Sequence, residues 1–278
     1  MGSYLRPASL DEALTALEVM PRTLLAGGTD IYPARVGRPI DDDILDVTGL
    51  PDLREITVED GVRRIPALAT WTDLLRHDLP ARFDGLKTAA RAVGGVQIQN
   101  RGTICGNVCN ASPAADGLPN LIALDARVEL ASAAGRREVA VADFVVGNRK
   151  TVRRADELVT AVLIPLPEVE ARSTFLKLGA RAYLVISIAM VAAVAELGAD
   201  GRLAAARIVV GACSEVPRRL PAAEARLIGR VPSGDLGRLI EPADLAHLAP
   251  IDDVRATAEY RRQAALVLVR RAVAEVAG

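Results

Sequence analysis

Leu24-Leu25-Ala26-Gly27-Gly28-Thr29-Asp30-Ile31 is the stretch on which the reading of this sequence turns. The run Arg22–Ala26 is short and apolar, as a β-strand is. It ends in two consecutive glycines, a hydroxyl and a carboxylate, after which the pattern predicts a helix. Residues without Cβ let the chain turn sharply and let a ligand approach the backbone amides. Exposed N–H groups beside a helix N-terminus suit a pyrophosphate. The plain alternative is an ordinary strand-to-helix turn capped by Asp30, and this octapeptide alone does not choose between the two.

A second stretch of similar character is Thr103–Asp116, TICGNVCNASPAAD. It lacks a clear periodicity and reads as an ordered loop with work to do. Thr103, Asn107, Asn110, Ser112 and Asp116 gather hydroxyls, amides and a carboxylate around Gly106. That is the donor and acceptor inventory for a large polar ligand. A polar loop satisfying its own backbone is the alternative.

Around these two stretches the pattern is mixed α and β. Ser9 with Glu12 three residues on has capping-box spacing, and Leu10, Ala13, Leu14 and Leu17 share one helix face. Asp43–Val47 reads as a strand, and Ile56–Val58 with Val62–Ile65 as a hairpin about Glu59-Asp60-Gly61. Thr70 caps a helix carrying Leu74 and Leu75. A further helix near Leu86–Val93 stops at Gly94-Gly95. Val128–Ala131 and Glu138–Val141 pair around Ala134-Gly135. Leu158–Ile164 is β-rich and ends at Pro165-Leu166-Pro167, a domain boundary by its prolines. Periodicity alone does not separate helix from strand in Val185–Leu197. The turn at Gly198–Gly201 and the β-branched Leu203–Gly211 favour a hairpin. Val254–Val276 reads as a helix.

Composition sets outer bounds. The chain has 278 residues, half apolar and 25% charged, which suffices for one large or two ordinary domains. Its net charge of −1, with both signs interspersed, gives no basic tract for nucleic acid. No apolar run reaches the roughly 18 residues of a membrane span, and MGSYLRPASLDEAL has no apolar core of a signal peptide. The three cysteines, Cys105, Cys109 and Cys213, are odd in number and do not form a disulfide framework, so a reduced, cytoplasmic protein is expected. In that setting the sequon Asn110-Ala111-Ser112 carries no meaning.

Several chemistries are poorly supplied. There is no G-x-G-x-x-G after a strand, no G-x-x-x-x-G-K-[ST] and no G-x-S-x-G. His77 and His247, the only two histidines, are far apart and read as surface or helix-end residues. Cys105 and Cys109 lack the partners of a four-ligand metal site and read as small buried thiols.

Taken in order, five motifs resemble the FAD-binding subunit of the xanthine dehydrogenase and carbon monoxide dehydrogenase family, over nearly the whole chain. They are the opening Tyr4, Pro7, Ser9, Leu10, Glu12, Ala13 and Leu14; the AGGTD loop; the TICGN…NASPAAD element; FLKLGAR at Phe175–Arg181; and Ala258-Glu259-Tyr260-Arg261-Arg262 with Leu268-Val269-Arg270-Arg271-Ala272 at the end.

The resemblance implies an α+β fold: a two-lobed FAD-binding domain of the vanillyl-alcohol-oxidase type at 1–170 (lobes about 1–55 and 56–170), then a small C-terminal α+β domain with an antiparallel sheet at 171–278. It implies FAD as the cofactor. Leu24, Leu25, Ala26, Gly27, Gly28, Thr29, Asp30 and Ile31 would wrap the pyrophosphate. Thr103, Ile104, Cys105, Gly106 and Asn107 would form the second FAD loop. Asp116 would hold a polar part of the cofactor, and Lys177 would contact it from the C-terminal domain; by itself Lys177 reads as an ordinary strand lysine. The implied partners are a molybdenum-cofactor large subunit and an iron–sulfur small subunit, in a dimer of heterotrimers. FAD would pass electrons from the clusters to NAD, oxygen or a quinone. No catalytic acid or base, metal site or cluster is expected in this chain, since three cysteines cannot supply four thiolates. Cys105 departs from the family pattern, where glycine is usual, and could crowd the cofactor or act as a redox-sensitive thiol. Tyr183, in ARAYLVIS, is a candidate to cover the flavin ring. A free-standing flavin oxidase and a scaffold that has lost FAD are the competing readings.

Overall fold

In the computed structural model, which describes residues 2–278, the first sheet exists to deliver the glycine loop. Strands Tyr4–Leu5, Ile44–Asp46 and Thr23–Leu25 pair in parallel with Ile44–Asp46 in the centre. Helix Leu10–Val19 is capped by Ser9, and its Ala13, Leu14, Ala16 and Leu17 are buried.

The second sheet is five-stranded and antiparallel, in the order Thr57–Glu59, Val62–Pro66, Leu158–Pro165, Arg127–Ser132, Gly135–Ala140. The hairpin about Asp60-Gly61 forms as its sequence requires, with both residues at positive φ. Helices Trp71–Arg76, Asp84–Ala92, Ile104–Asn110 and Gly117–Ala123 belong to the same unit. Thr70 and Asp73 complete a capping box at the first of these.

The start of the central strand is pinned by a buried carboxylate. Glu157 accepts from Arg137 at 2.6 and 2.8 Å and from the Arg154 amide at 2.7 Å. The Arg137 hydrogen bonds hold its pKa below the usual glutamate range. Stability from this clamp is therefore present above the unfolded glutamate pKa of about 4.3 and is lost as pH falls through the lower folded value. Glu157→Gln is expected to lower stability at pH 7 by about 2 kcal/mol, as loss of charge-assisted bonds does. Thermal melts of both chains should converge only once the pH falls below that lowered folded value.

The third sheet carries strands Ala171–Leu178, Ala189–Leu197, Leu203–Gly211 and Arg218–Arg219, antiparallel throughout. Both faces of Ala189–Leu197 are covered. Met190, Ala192 and Val194 pack into the core of the preceding unit, while Ala189, Val191, Ala193 and Ala195 pack with the C-terminal helix. That helix runs Ala258–Ala277 from a Thr257 cap, so it begins later than the expected Val254. No helix among the described residues is long and apolar enough to cross a membrane.

Two sequence expectations fail here. The segment after Gly28-Thr29 is not an α-helix; it turns and forms only a 3-10 turn at Pro33–Arg35. Pro33, Gly37 and Pro39 interrupt any apolar periodicity, so there is no face to bury. Conversely, Thr103–Asp116 is not a loop throughout. Ile104–Asn110 is a helix capped by the Thr103 hydroxyl, which accepts from the Gly106 amide at 2.9 Å. Two turns are too short to display a period.

Candidate functional site

The two stretches singled out in the sequence meet across one cleft of about 750 Å³. The parallel strand Thr23–Leu25 brings Gly27 against the turn Ile98–Gly102. A Cβ on Gly27 would overlap the Arg101 carbonyl oxygen and lie 2.8 Å from its carbon. Gly28 has φ +72°, and a Cβ there would lie 2.5 Å from a ring carbon of Tyr32. Each glycine therefore has its own reason: close backbone approach at the first, a left-handed turn at the second.

Leu24, Ala26, Gly27, Gly28, Thr29, Asp30 and Ile31 line the cleft on one side, and Thr103, Cys105, Gly106 and Asn107 line it on the other. Leu25 and Ile104 do not line it; both are buried in the core. For Leu25 strand alternation is the cause, since neighbouring side chains on a strand face opposite ways. Ile104 lies on the buried face of its short helix with Val108.

The thiols are placed unlike each other. Cys105 points its Sγ to the Ile65 carbonyl oxygen at 3.7 Å, and burial pushes its pKa well up. Its thiol is thus turned toward the core, while Cys105 still borders the cleft. Cys109 also borders the cleft, and burial raises its pKa to about 11. Burial disfavours the thiolate at both, the form that redox sensing by thiolate chemistry requires.

The Asn107 Oδ1 atom is buried and has no hydrogen-bond partner. An unsatisfied buried acceptor is unfavourable by about 1–3 kcal/mol, and here it belongs to a residue on the cleft wall.

Asp116 and Lys177 come together from 61 residues apart, with Nζ to Oδ2 at 2.5 Å. The other carboxylate oxygen accepts from the Ser187 hydroxyl at 2.7 Å. Asp116 is 6% exposed. Burial raises its pKa above the ordinary aspartate value, opposed by Lys177 and Ser187. Lys177 also donates to the Ala92 carbonyl at 3.4 Å. Of the three ammonium protons, one remains for a ligand in the cleft.

Sequence reasoning missed several lining residues, among them Trp71, Val93, Arg149, Arg153 and Val159. The double glycine Gly94-Gly95 was a usable signal for the Val93 wall. Arg149, at φ +55°, had none. Tyr183 is 79% exposed, while its neighbours Val185 and Ile186 line the cleft. Of the histidines, His77 sits at the C-terminal cap of Trp71–Arg76 and His247 contacts the Arg219 carbonyl.

With this geometry in hand, the chain can be set beside known proteins. Residues 1–167 match the family described as FAD binding domain in molybdopterin dehydrogenase, and residues 174–276 match the CO dehydrogenase flavoprotein C-terminal domain. The chain is similar to the glyceraldehyde dehydrogenase medium chain of Sulfolobus acidocaldarius, 32% identical over 99% of this chain and 98% of that one. It is also similar to the nicotinate dehydrogenase FAD-subunit of Eubacterium barkeri, 33% identical over 81% of this chain and 79% of that one. Among solved structures, CO dehydrogenase from Oligotropha carboxidovorans superposes with a TM-score of 0.90, at 29% identity, covering 100% of this chain and 97% of that one.

Proposed function

This chain belongs to the FAD-binding medium subunits of the molybdenum hydroxylase family, of the carbon monoxide and xanthine dehydrogenase type, and from that premise we propose that it is the electron-transfer subunit of a heteromeric oxidoreductase. Its partners are a molybdenum-cofactor large subunit and an iron–sulfur small subunit, assembled as a dimer of heterotrimers in the cytoplasm. When bound, FAD supplies the step from single-electron carriers to a two-electron acceptor.

The observation that carries this reading is the convergence of both glycine-bearing segments and Lys177 on one cleft, with the Asn107 oxygen buried and unpartnered on its wall. The residues fit the group. Gly27 and Gly28 let the loop pack against Arg101 and turn left-handed, which leaves its backbone on the cleft wall where a pyrophosphate would approach. Asn107 would take a donor from the cofactor. Lys177 would offset negative charge on it. The chain crosses from the second sheet to the third between Pro165 and Ala171, which supports a division near residue 170, with lobes about 1–55 and 56–170 before it.

A free-standing oxidase would need an acid or base facing its substrate. No histidine lines the cleft among the described residues; of its two carboxylates, Asp116 already accepts from both Ser187 and Lys177, and Asp30 lies on the exposed glycine loop. The relay reading asks for no such group.

A visible absorption spectrum of the full chain, purified and then mixed with FAD, tests the proposal. Flavin bands that stay with the protein are expected. Asn107→Ala should weaken binding about tenfold, the loss of one hydrogen bond in a buried site. Failure to bind FAD, alone and with both partner subunits, would leave the scaffold reading in its place.

A further inference from the structure

Arg153 puts a second kind of cation on the cleft wall. It lies on the turn between strands Lys150–Thr151 and Leu158–Pro165. Its Nη1 donates to the carbonyls of Arg154 and Glu157, at 2.9 and 2.6 Å. Both protons of that nitrogen are then spent, and Nε with Nη2 keeps three N–H groups for a ligand. The Glu157 carboxylate does not neutralise Arg153, because Arg137 and the Arg154 amide already hold it. The guanidinium is thus anchored by backbone, keeps its charge, and lines the cleft.

The cleft beside Arg153 is apolar. The Cys109 thiol is a neighbour, since the Arg153 charge opposes the rise that burial gives its pKa. Leu158 follows Glu157 directly. Ala67 lies alongside, its amide donating to the Thr160 carbonyl at 2.9 Å. Ala67, Leu158 and Val159 all line the cleft and are 5, 3 and 3% exposed. An apolar floor beside a planar guanidinium suits a nucleobase. The floor buries a ring face, while the guanidinium stacks on the ring or donates to its edge nitrogens. The cleft is different near Lys177. There the ammonium contacts the Ala92 carbonyl, and Gly94 and Ile98 on the rim are exposed. A ring that exchanges electrons with a partner needs that open rim; a nucleoside does not.

We propose that Arg153, with the floor of Ala67, Cys109, Leu158 and Val159, recognises the adenosine half of the cofactor and makes the chain select a flavin dinucleotide over FMN. Arg153 is then a specificity-determining residue that touches the cofactor away from its redox ring. The proposal rests on the FAD reading for the identity of the ligand. Its own content is where the nucleoside sits and which side chain reads it.

Isothermal titration of the full chain, stripped of flavin, with FAD, ADP and FMN tests it. ADP carries the nucleoside without the flavin, and FMN the flavin without the nucleoside. Arg153→Gln should weaken FAD and ADP about tenfold each, the loss of one guanidinium contact with a desolvated ring, and leave FMN within about twofold of the parent. An equal loss for FMN would make Arg153 a structural support of its turn and overturn the proposal. Unchanged affinity for FAD and ADP would overturn it as well. The parent chain adds a test that needs no variant: ADP should bind at least tenfold more tightly than inorganic pyrophosphate, and equal affinities would remove the nucleoside site. A parent that binds ADP but not FAD speaks against the proposed function, and the ADP titrations still decide the role of Arg153. A parent that binds neither overturns both.

Discussion

Alanine in place of Gly27 is expected to lower FAD affinity by about a hundredfold while the two cores stay folded. The added methyl overlaps the Arg101 carbonyl oxygen and sits 2.8 Å from its carbon. That carbonyl cannot swing aside. The amides of Arg101 and Gly102 both donate to the Ile98 carbonyl, at 3.1 and 2.6 Å, and the Gly102 carbonyl accepts from Trp71 at 3.2 Å. The strand end at Thr23–Leu25 must therefore retreat from the turn, widening the cleft where its two walls meet. Overpacking against fixed backbone destabilises by about 1–3 kcal/mol, and the upper end corresponds to roughly a hundredfold in binding. Gly28→Ala is the internal comparison. Its Cβ meets only the Tyr32 ring, which is half exposed and free to rotate, so the left-handed backbone is the main penalty, about 1–2 kcal/mol. Fluorescence titration with FAD should rank the two with Gly27→Ala the weaker binder. The opposite rank would mean that the turn yields and that the φ of Gly28 is what governs the loop.

The parts of this molecule that could be read from sequence are those where one short segment holds all the information. The strand before AGGTD, the Asp60-Gly61 hairpin and the Thr70 cap are local, and each formed as its residues required. The segment after AGGTD departs from the expected helix because Pro33 and Gly37 break the pattern, leaving only a 3-10 turn. Val185–Leu197 was ambiguous for a physical reason. Its strand is buried on both faces, so the two-residue alternation that marks a half-buried strand is absent. The cleft was legible as two polar stretches, but its closure was not. Asp116, Lys177 and Ser187 lie 61 and 71 residues from one another along the chain as paired, and nothing in the pattern around Ser187 sets it apart from any strand-end serine. For the same reason Cys105 looked like an intruder in the second loop. Only the helix at Ile104–Asn110 turns its thiol away toward Ile65.

Arg261 is where the C-terminal helix and the cleft depend on each other, and Arg261→Leu is expected to destabilise the chain by about 3 kcal/mol, lowering the melting temperature by roughly 5–10 °C. The side chain is 1% exposed. Its guanidinium donates to the carbonyls of Ile188 and Ala212, at 2.9 and 3.0 Å, and to Asp253 at 2.5 Å. Leucine fills the volume but leaves two buried carbonyls unpaired, and it removes one of the two arginines that hold Asp253 well below the usual aspartate range, Arg255 being the first. Lysine cannot span the same three acceptors with a planar fork, so Arg261→Lys should recover only part of the loss. The effect on the cleft should be smaller than the effect on stability. Asp253 keeps its guanidinium pair with Arg255, and Arg255 still reaches the Ser187 carbonyl. Melting curves and FAD titrations on the same preparation separate the two. A lower melting point with FAD affinity within about threefold of the parent places Arg261 in the docking of the helix. A larger loss of affinity would instead make Arg261 the root of the chain of contacts that runs through Asp253 and Arg255 to Ser187.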